Sequence, residues 1–550
     1  MRRPEIMGAG RRESNWGPRV MELALVGALL ALLAAVVYGP HARAGGFLSD
    51  DWAIHALLKF SGDQGFFGAI QTLLDQPNIS QRPGFAIYLA AVDGVFGMHP
   101  GYYLAWAAAM GVVLALSVYW VLRLMKLPAL VAGSVSPLIL LFPGADAVRL
   151  WITASGAQLA VTLAVLGFGL AILALRAEGR PRIAMHAASV ALFAASLLFQ
   201  EVALAVMCAS VLMYVLVAPW REAVMRWVVD LVVLVPIAVI VTSKTSFERQ
   251  DGPGMVEHAR TMFSDAQTLL TSVVVPGGVD KWLIVAAVLV VVGAAIAVAR
   301  SLAPEDPDRV ELRRYLVTAL AGTVVVVAGY AMYVPGIDYY TPAAYGIGNR
   351  VNNVASIGWA LLLVSIAMLA VTLARRAIPG SRGYVQAIAL CALLLVALQY
   401  AGQVRADASR YQKAYATGAR ALATMRARVP KPPAGSLVLA FGQPIEQVAG
   451  IPVFGNTYDM TSSVQLLWNE PKIVSIPAYP DMKLDCRRRA LELASARIEQ
   501  RTASVPYGRA YFVNTVSGVY VVPRDRAACV RVTKTWKRSP LAAEPGGYDS

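Results

Sequence analysis

The chain has 550 residues, of which 57% are hydrophobic and only 15% are charged. An ordinary soluble domain is about 45–50% apolar and about 25% charged, so the composition excludes that class and predicts a polytopic membrane protein. The formal net charge of +15 would also suit a nucleic-acid-binding protein. Basic residues gather on the cytoplasmic loops of membrane proteins, however, and we expect no nucleic-acid partner.

Apolar segments long enough to cross a bilayer follow one another between residues 20 and 401, and they predict about eleven transmembrane helices. The first segment follows the basic stretch 1–19 and is interpreted as an uncleaved anchor. The run 83–97 is too short to span and carries Asp93, so it predicts a helix in the outer interface. The spans are expected at about 20–39, 101–123, 128–143, 150–175, 184–200, 202–219, 227–244, 281–299, 314–334, 353–374 and 384–401.

The orientation follows from the rule that cytoplasmic segments are rich in Lys and Arg. Every segment that these spans place on the cytoplasmic side is basic, as in the loop with Arg176, Arg180 and Arg182. The N-terminus is therefore predicted to be cytoplasmic, and an odd number of spans places the C-terminal part outside the cytoplasm. We expect a multi-pass protein of a bacterial-type inner (plasma) membrane, in contact with its lipids.

The polar C-terminal part divides into two predicted units. Residues 402–433 form a basic helix and a proline-containing linker, and the helix is either solvated or docked on anionic headgroups. Residues 434–550 predict a small extracytoplasmic α/β domain, in which Cys486 and Cys529 can form a disulfide. Its predicted elements are a strand at 436–442, a helix at 484–504 and a hairpin of 509–515 and 518–525.

The most distinctive polar residues of the membrane module 20–401 lie in its first outer loop, 40–100. Asp50 and Asp51 are adjacent there and are followed by Trp52 and His55. Adjacent carboxylates repel, and burial of such a pair raises the pKa of at least one. A general base that takes a proton from a sugar hydroxyl needs such a raised pKa. An N-cap role is the alternative for Asp50, and for the pair we favour catalysis.

Three further charged residues are expected near the same side of the membrane. Arg82 opens the interfacial helix, either as a snorkelling anchor or as a ligand of a lipid phosphate. Glu201 interrupts an apolar stretch, either in a tight turn or as an intramembrane carboxylate with a function. Arg350 lies in the last outer loop and suits a phosphate, because a guanidinium donates paired hydrogen bonds.

Other residues are expected to support a substrate cleft. Asp146 lies in the second outer loop, where it can pair with Arg149, and Tyr345 lies among the tyrosines of the last outer loop, which also carries Asp338. His55 completes this supporting set. The loop 245–280 has no strong motif and is interpreted as a mobile lid.

No Walker A loop, dinucleotide fingerprint, HExxH motif or Cys-rich metal set occurs in the sequence. Coupling to ATP is therefore not expected, and the sequence requires no cofactor. A divalent cation on the carboxylates remains an open alternative, and no metal is assigned.

The sequence Ser49-Asp50-Asp51-Trp52 and the segment from Arg82-Pro83 to Phe96-Gly97 resemble the first outer loop of the GT-C glycosyltransferases. These enzymes include protein mannosyltransferases, aminoarabinose transferases and arabinofuranosyltransferases. The resemblance covers 20–400 in architecture and 49–125 in motif. The chain has Asp-Asp where the mannosyltransferases have Asp-Glu, and Arg-Pro-Gly in place of a paired-proline motif, so the sugar and the acceptor stay open.

The resemblance implies a cell-envelope enzyme that transfers a sugar from a polyprenyl-phosphate donor to a glycan, lipid or protein acceptor outside the cytoplasm. It implies that Asp50 or Asp51 is the general base. Arg350 and Arg82 are expected near the donor phosphate by position and chemistry, with Glu201 and Asp146 as supporting groups. The alternatives are a lipid or solute transporter or flippase, and a non-catalytic envelope-assembly protein.

Overall fold

A computed structural model describes residues 16–62, 65–243, 252–274, 280–336, 340–378, 380–495 and 503–542. Asp338, which the sequence placed in the last outer loop, lies outside the described residues. The helices are α1 (Trp16–Ala44), α2 (Asp50–Phe60), α3 (Gly65–Leu74), α4 (Pro83–Phe96), α5 (Pro100–Leu124), α6 (Ala129–Leu140), α7 (Ala147–Leu150), α8 (Ser155–Arg176), α9 (Gly179–Phe199), α10 (Leu204–Tyr214), α11 (Trp220–Ser243), α12 (Gly252–Leu269), α13 (Lys281–Ser301), α14 (Pro307–Ala331), α15 (Asn353–Ala377), α16 (Arg382–Arg428), α17 (Thr457–Trp468) and α18 (Arg526–Thr535).

Nine helices in the described part of the chain are long and apolar enough to cross a membrane, namely α1, α5, α8, α9, α11, α13, α14, α15 and α16. Two of the eleven predicted spans are shorter helices. The segment 128–143 forms the 12-residue α6, which begins after Pro128 and ends at Leu140, before Pro143. The segment 202–219 forms the 11-residue α10, and turns precede Pro219. Pro128 and Pro143 flank α6, which also contains Pro137, and Pro219 follows the turns after α10.

The last membrane helix is longer than the sequence predicted. The expected boundary between a span at 384–401 and a separate helix at 402–428 is wrong, because α16 runs unbroken through 47 residues. At 1.5 Å per residue it is about 70 Å long, more than twice the hydrocarbon thickness of a bilayer. Only Gly402 lies near the predicted break, and one glycine does not end a helix. Pro430 follows the actual end.

The neighbouring helices α14 and α15 pack through small residues. A Cβ atom on Gly358 would lie 2.5 Å from the carbonyl oxygen of Gly322, and one on Gly322 would lie 2.8 Å from the oxygen of Gly358. The two backbones therefore touch directly, which is how membrane helices gain dispersion energy where lipid removes the hydrophobic drive. A larger side chain at either glycine would push the helices apart.

The segment predicted as a lid at 245–280 contains the amphipathic helix α12. Val256 and Phe263 are exposed on it, whereas His258 is buried and its Nδ1 lies 3.1 Å from the carbonyl oxygen of Val334. The parts 244–251 and 275–279 of this segment lie outside the described residues. The helix is thus attached to the chain that follows α14.

The C-terminal domain is built on a sheet with the strand order β4-β1-β8-β9. The central β1 is parallel to β4 and β8, whereas β8 and β9 form the predicted antiparallel hairpin. The strands are β1 (Leu437–Phe441), β2 (Glu446–Val448), β3 (Ile451–Pro452), β4 (Val474–Pro477), β5 (Lys483–Cys486), β6 (Ala490–Ala494), β7 (Ala503–Pro506), β8 (Ala510–Asn514) and β9 (Tyr520–Val521).

The helix predicted at 484–504 is wrong, because the described part of this segment forms the antiparallel strands β5, β6 and β7. In β6 the buried Leu491 and Leu493 alternate with the half-buried Glu492. This is the period of two that places one strand face on a core. Residues 496–502 lie outside the described part.

Two connections fix the domain. A disulfide joins Cys486 of β5 to Cys529 of α18, with the Cα atoms 5.9 Å apart. Helix α17 packs against α2, the short helix that begins at the acidic pair. The domain therefore closes over the first loop of the membrane module.

Candidate functional site

A cavity of about 1250 Å³ lies between α2, the start of α4, the turn after α9, the segment after α14 and the helix α17. Its charged lining residues in the described chain are two carboxylates and two guanidiniums, so their formal charges cancel. The other polar lining side chains are hydroxyls and amides. The polar residues are Ser49, Asp50, Ser61, Gln76, Asn78, Arg82, Thr153, Gln200, Glu201, Tyr333, Tyr340, Arg350, Asn353, Asn456, Tyr458, Ser462 and Gln465.

Asp50 is the member of the acidic pair that lines the cavity. Its Oδ1 accepts a hydrogen bond of 2.5 Å from the phenol of Tyr458 in the C-terminal domain. Ser49 precedes it with φ 48°, a conformation that costs a non-glycine residue about 1–3 kcal/mol. This turn in the backbone starts α2 at Asp50 and directs the first carboxylate of the helix to the cavity.

Asp51 is buried on the other side of α2 and does not line the cavity. Its Oδ2 accepts from the backbone N–H of Leu48 at 3.0 Å, and its Oδ1 accepts from the N–H and the hydroxyl of Thr153 at 2.9 and 2.5 Å. Burial raises the pKa of Asp51 from 3.8 to about 7, although these hydrogen bonds favour the charged form. Of the two carboxyls, Asp51 therefore has the raised pKa that was expected for the pair. Its hydrogen bonds connect the first loop to the segment before α8.

Arg82 and Glu201 form an ion pair across the cavity wall. Nη2 of Arg82 lies 2.7 Å from Oε1 of Glu201, and Nε donates to Oε2 at 3.3 Å. Burial favours protonated Glu201, but the charge and the hydrogen bonds of Arg82 outweigh it and lower the pKa of the carboxyl. Glu201 is thus a paired carboxylate in the turn after α9. The positive charge of Arg82 is balanced before any ligand arrives.

Arg350 lies beside two aromatic rings at the cavity. The centre of its guanidinium is 5.2 Å from the ring centre of Trp151 and 5.7 Å from that of Tyr340. Its Nη1 donates to the carbonyl oxygen of Ile347 at 2.7 Å, which folds the side chain back on its own short helical turn. Contacts of this kind hold a guanidinium plane in one orientation.

Three residues expected to support the cleft do not line the cavity. His55 points into the apolar layer beneath α2, where its Nδ1 lies 2.6 Å from Oδ1 of Asp93. Asp146 is completely buried and accepts from Nδ2 of Asn349 at 2.8 Å. Tyr345 is 43% exposed and lies outside the cavity. The structure therefore places these three residues outside this cavity. The face of a helix or loop from which a side chain projects sets its direction, and the spacing of residues in a loop does not encode that face.

The cavity also contains residues that the sequence did not single out. Trp151 and Thr153 follow the second loop, Tyr333 follows α14, and Asn353 begins α15. Tyr458 comes from a domain 408 positions away from the carboxylate that it binds. A tyrosine inside a polar helix carries no signal for such a contact. Of the cavity residues that were not predicted, only the aromatic residues of the loops had a signal in the sequence, because they are close to one another along the chain.

In the ranges that the structure describes, no group of three or more His, Cys, Asp or Glu side chains could hold a metal ion. Asp50 and Asp51 point to different surroundings, which keeps them from acting as one chelating pair.

No protein-family model matches the sequence, and a comparison with curated proteins gives no match. Among solved structures, the oligosaccharyltransferase AglB from the archaeon Archaeoglobus fulgidus, in complex with an inhibitory peptide and a dolichol-phosphate, aligns over 84% of this chain at 12% identity with a TM-score of 0.42. ArnT from Cupriavidus metallidurans in the apo state aligns over 82% of this chain and 85% of its own at 12% identity, with a TM-score of 0.36.

A second structure of an Archaeoglobus fulgidus oligosaccharyltransferase, in complex with Zn and sulfate, aligns over 81% of this chain and 61% of its own at 13% identity, with a TM-score of 0.37. The chain spans 65% of the length of the AglB chain. At these identities and TM-scores, the alignments assign no role to any residue of the cavity.

Proposed function

We propose that this protein is a membrane glycosyltransferase of the GT-C type, which moves a sugar from a polyprenyl-phosphate donor to an acceptor hydroxyl outside the cytoplasm. One observation carries the proposal: the Asp50 carboxylate and the Arg350 guanidinium line the same cavity. A base for the attacking hydroxyl and a cation for the leaving phosphate are the two groups that this reaction needs.

The reaction follows from the chemistry of these groups. Asp50 takes the proton of the acceptor hydroxyl, and the oxygen of that hydroxyl forms a bond to the anomeric carbon of the donor sugar. The bond from that carbon to the phosphate oxygen breaks, and its electron pair stays on the polyprenyl phosphate. Arg350 stabilises the negative charge that grows there. The Arg82–Glu201 pair adds no net charge, so we assign Arg82 to shaping the part of the cavity that holds the donor.

The test is turnover by the purified full-length protein in lipid nanodiscs, with a panel of radiolabelled polyprenyl-phosphate sugars and membrane glycan, lipid and peptide acceptors. We expect Asp50→Asn to lower kcat by about 10²–10⁴-fold, the usual contribution of a general base. The matched control is Asp75→Asn, an exposed aspartate outside the cavity. Binding of the donor without any transfer by the wild type would refute the enzyme and favour a transporter or an assembly partner.

The extracytoplasmic position of the cavity is part of the proposal and has a separate test. Lys59 is exposed in α2, so a Lys59→Cys variant in a Cys208→Ala, Cys391→Ala background offers one thiol on the first loop. We expect a membrane-impermeant maleimide to label it in intact cells. Labelling only after the membrane is permeabilised would place the loop in the cytoplasm and refute this topology.

A further inference from the structure

We propose that Tyr458 of the C-terminal domain is a positioning residue for Asp50, so that the domain completes the site of the membrane module rather than only covering it. The inference rests on the proposed function, in which Asp50 is the base. It goes beyond that function because it assigns the Asp50 carboxylate of the membrane module a fixed hydrogen-bond partner in the C-terminal domain.

The contact is part of a short chain of hydrogen bonds. Nδ2 of Asn456 lies 3.2 Å from the phenol oxygen of Tyr458, and that phenol donates to Oδ1 of Asp50 at 2.5 Å. The Ser49 hydroxyl lies 3.3 Å from the same phenol oxygen. Within the described residues, this bond to Oδ1 is the hydrogen bond of the Asp50 side chain, which leaves Oδ2 for an acceptor hydroxyl.

The start of α17 is built to hold Tyr458 in this place. Asp459 is completely buried, and its carboxylate accepts from the backbone N–H groups of Gly455, Asn456 and Met460 at 2.6–3.3 Å. Asn456 and Asp459 form a capping box at the first turn of the helix. This arrangement fixes the backbone on both sides of the tyrosine.

The same helix is anchored to the sheet of the domain. The hydroxyl of Thr461 donates to the carbonyl oxygen of Ser475 in β4 at 2.8 Å, and the N–H of Ser475 donates back to that hydroxyl at 3.1 Å. The position of the phenol is therefore set by the whole domain. A loop residue at the cavity rim would not be held so firmly.

The contact holds the Asp50 carboxylate in one orientation. Burial, and then the charge of Asp50, raise the pKa of the Tyr458 phenol, so it keeps its proton and remains a donor. With Oδ1 bound to this phenol, Oδ2 is the oxygen left to take the proton of the acceptor hydroxyl. Loss of the phenol should leave the carboxylate free to rotate.

The experiment compares the steady-state kinetics of the wild type, Tyr458→Phe and a control, Tyr520→Phe, in nanodiscs. Tyr520 lies in the same domain but away from the cavity. For Tyr458→Phe we expect kcat to fall about 10–100-fold, with an unchanged KM for the donor. The kcat and KM of Tyr520→Phe should match those of the wild type.

The outcomes separate the inference from the proposed function. A wild type that is active, an Asp50→Asn variant that is inactive and a Tyr458→Phe variant with an unchanged kcat would overturn the inference and leave the function standing. A fall in kcat matched by a rise in the donor KM would also overturn it, since a loss of packing at the cavity would give that result. Absence of turnover by the wild type with every donor would overturn the function, and this inference with it.

Discussion

The geometry of the Arg82–Glu201 pair predicts how much the free energy of unfolding falls when the pair is broken. The test compares Arg82→Met, Glu201→Gln and the double variant in a thermodynamic cycle. The two side chains are 19% and 22% exposed and share contacts of 2.7 and 3.3 Å. Removal of one partner from a fully buried pair costs about 3–5 kcal/mol, and exposed pairs contribute about 0–1 kcal/mol. With about a fifth of each side chain exposed, we expect either single change to cost about 2–3 kcal/mol.

The double variant should cost less than the two single changes together, because it leaves no uncompensated charge. We expect a coupling energy of about 1–2 kcal/mol, measured by denaturant unfolding of the purified protein in mixed micelles. A cycle with Arg260 and Glu257, an ion pair with an N–O distance of 3.5 Å whose side chains are 75% and 74% exposed, is the control and should give close to zero. Additive effects of Arg82→Met and Glu201→Gln would refute the reasoning.

The pair also sets the charge of the cavity, so Glu201→Gln should leave the cavity one charge more positive. A lipid phosphate would then offset the uncompensated Arg82. We expect added polyprenyl phosphate to raise the melting temperature of Glu201→Gln more than that of the wild type, with a neutral polyprenol as the control. Equal shifts would show that the phosphate does not reach Arg82.

Three further predictions concern other parts of the molecule. The raised pKa of Asp51 means that its stabilising contribution is fully present below about pH 4 and is lost as the pH rises through about 7. The melting temperature of the wild type should therefore fall relative to that of Asp51→Asn over this range. Melting temperatures that change in parallel with pH would contradict this expectation. Arg350→Lys keeps the charge but loses the contacts of the guanidinium with the rings of Trp151 and Tyr340, so we expect the donor KM to rise about tenfold. An unchanged KM would show that Arg350 does not contact the donor. Reduction of Cys486–Cys529 opens a loop of 43 residues and should cost about 4 kcal/mol in the chain-entropy model, visible as a lower melting temperature with dithiothreitol in the wild type but not in the Cys486→Ser, Cys529→Ser variant.

The membrane helices could be predicted because their signal is local. About 20 apolar residues are needed to cross a bilayer, and every one of the nine long helices has such a run. The two shortened helices, α6 and α10, end in turns inside their apolar segments, and hydropathy does not encode those turns. The continuous α16 was missed for the opposite reason, since a change from apolar to basic residues alters the surroundings of a helix without ending it.

The strands β5 to β7 were missed because their sequence contains good helix formers such as Ala, Leu, Glu and Arg. The pairing of Leu484 with Leu493 across β5 and β6 overrides that tendency, and such pairing is a contact between strands that local propensity does not contain. The hairpin of β8 and β9 was predicted, because its turn residues and β-branched runs are adjacent in the sequence.

The sequence identified the acidic pair but could not assign different roles to its two members. Asp50 and Asp51 are the same residue type and differ only in their surroundings in the fold. Thr153 lies 102 positions from Asp51, and Tyr458 lies 408 positions from Asp50. A spacing rule cannot include partners at those distances, so only the folded chain shows that Asp50 lines the cavity and that Asp51 is buried.

The unbroken helix α16 makes the angle between the two units of the protein a property of helix geometry. Each residue of an α-helix adds 1.5 Å and about 100° of rotation. One alanine inserted between the membrane part and the basic part of α16 would therefore swing the C-terminal domain by more than a quarter turn. Four inserted residues would raise it by about 6 Å and nearly restore its direction. The length of one helix thus determines whether a phenol and a carboxylate from distant parts of the chain meet.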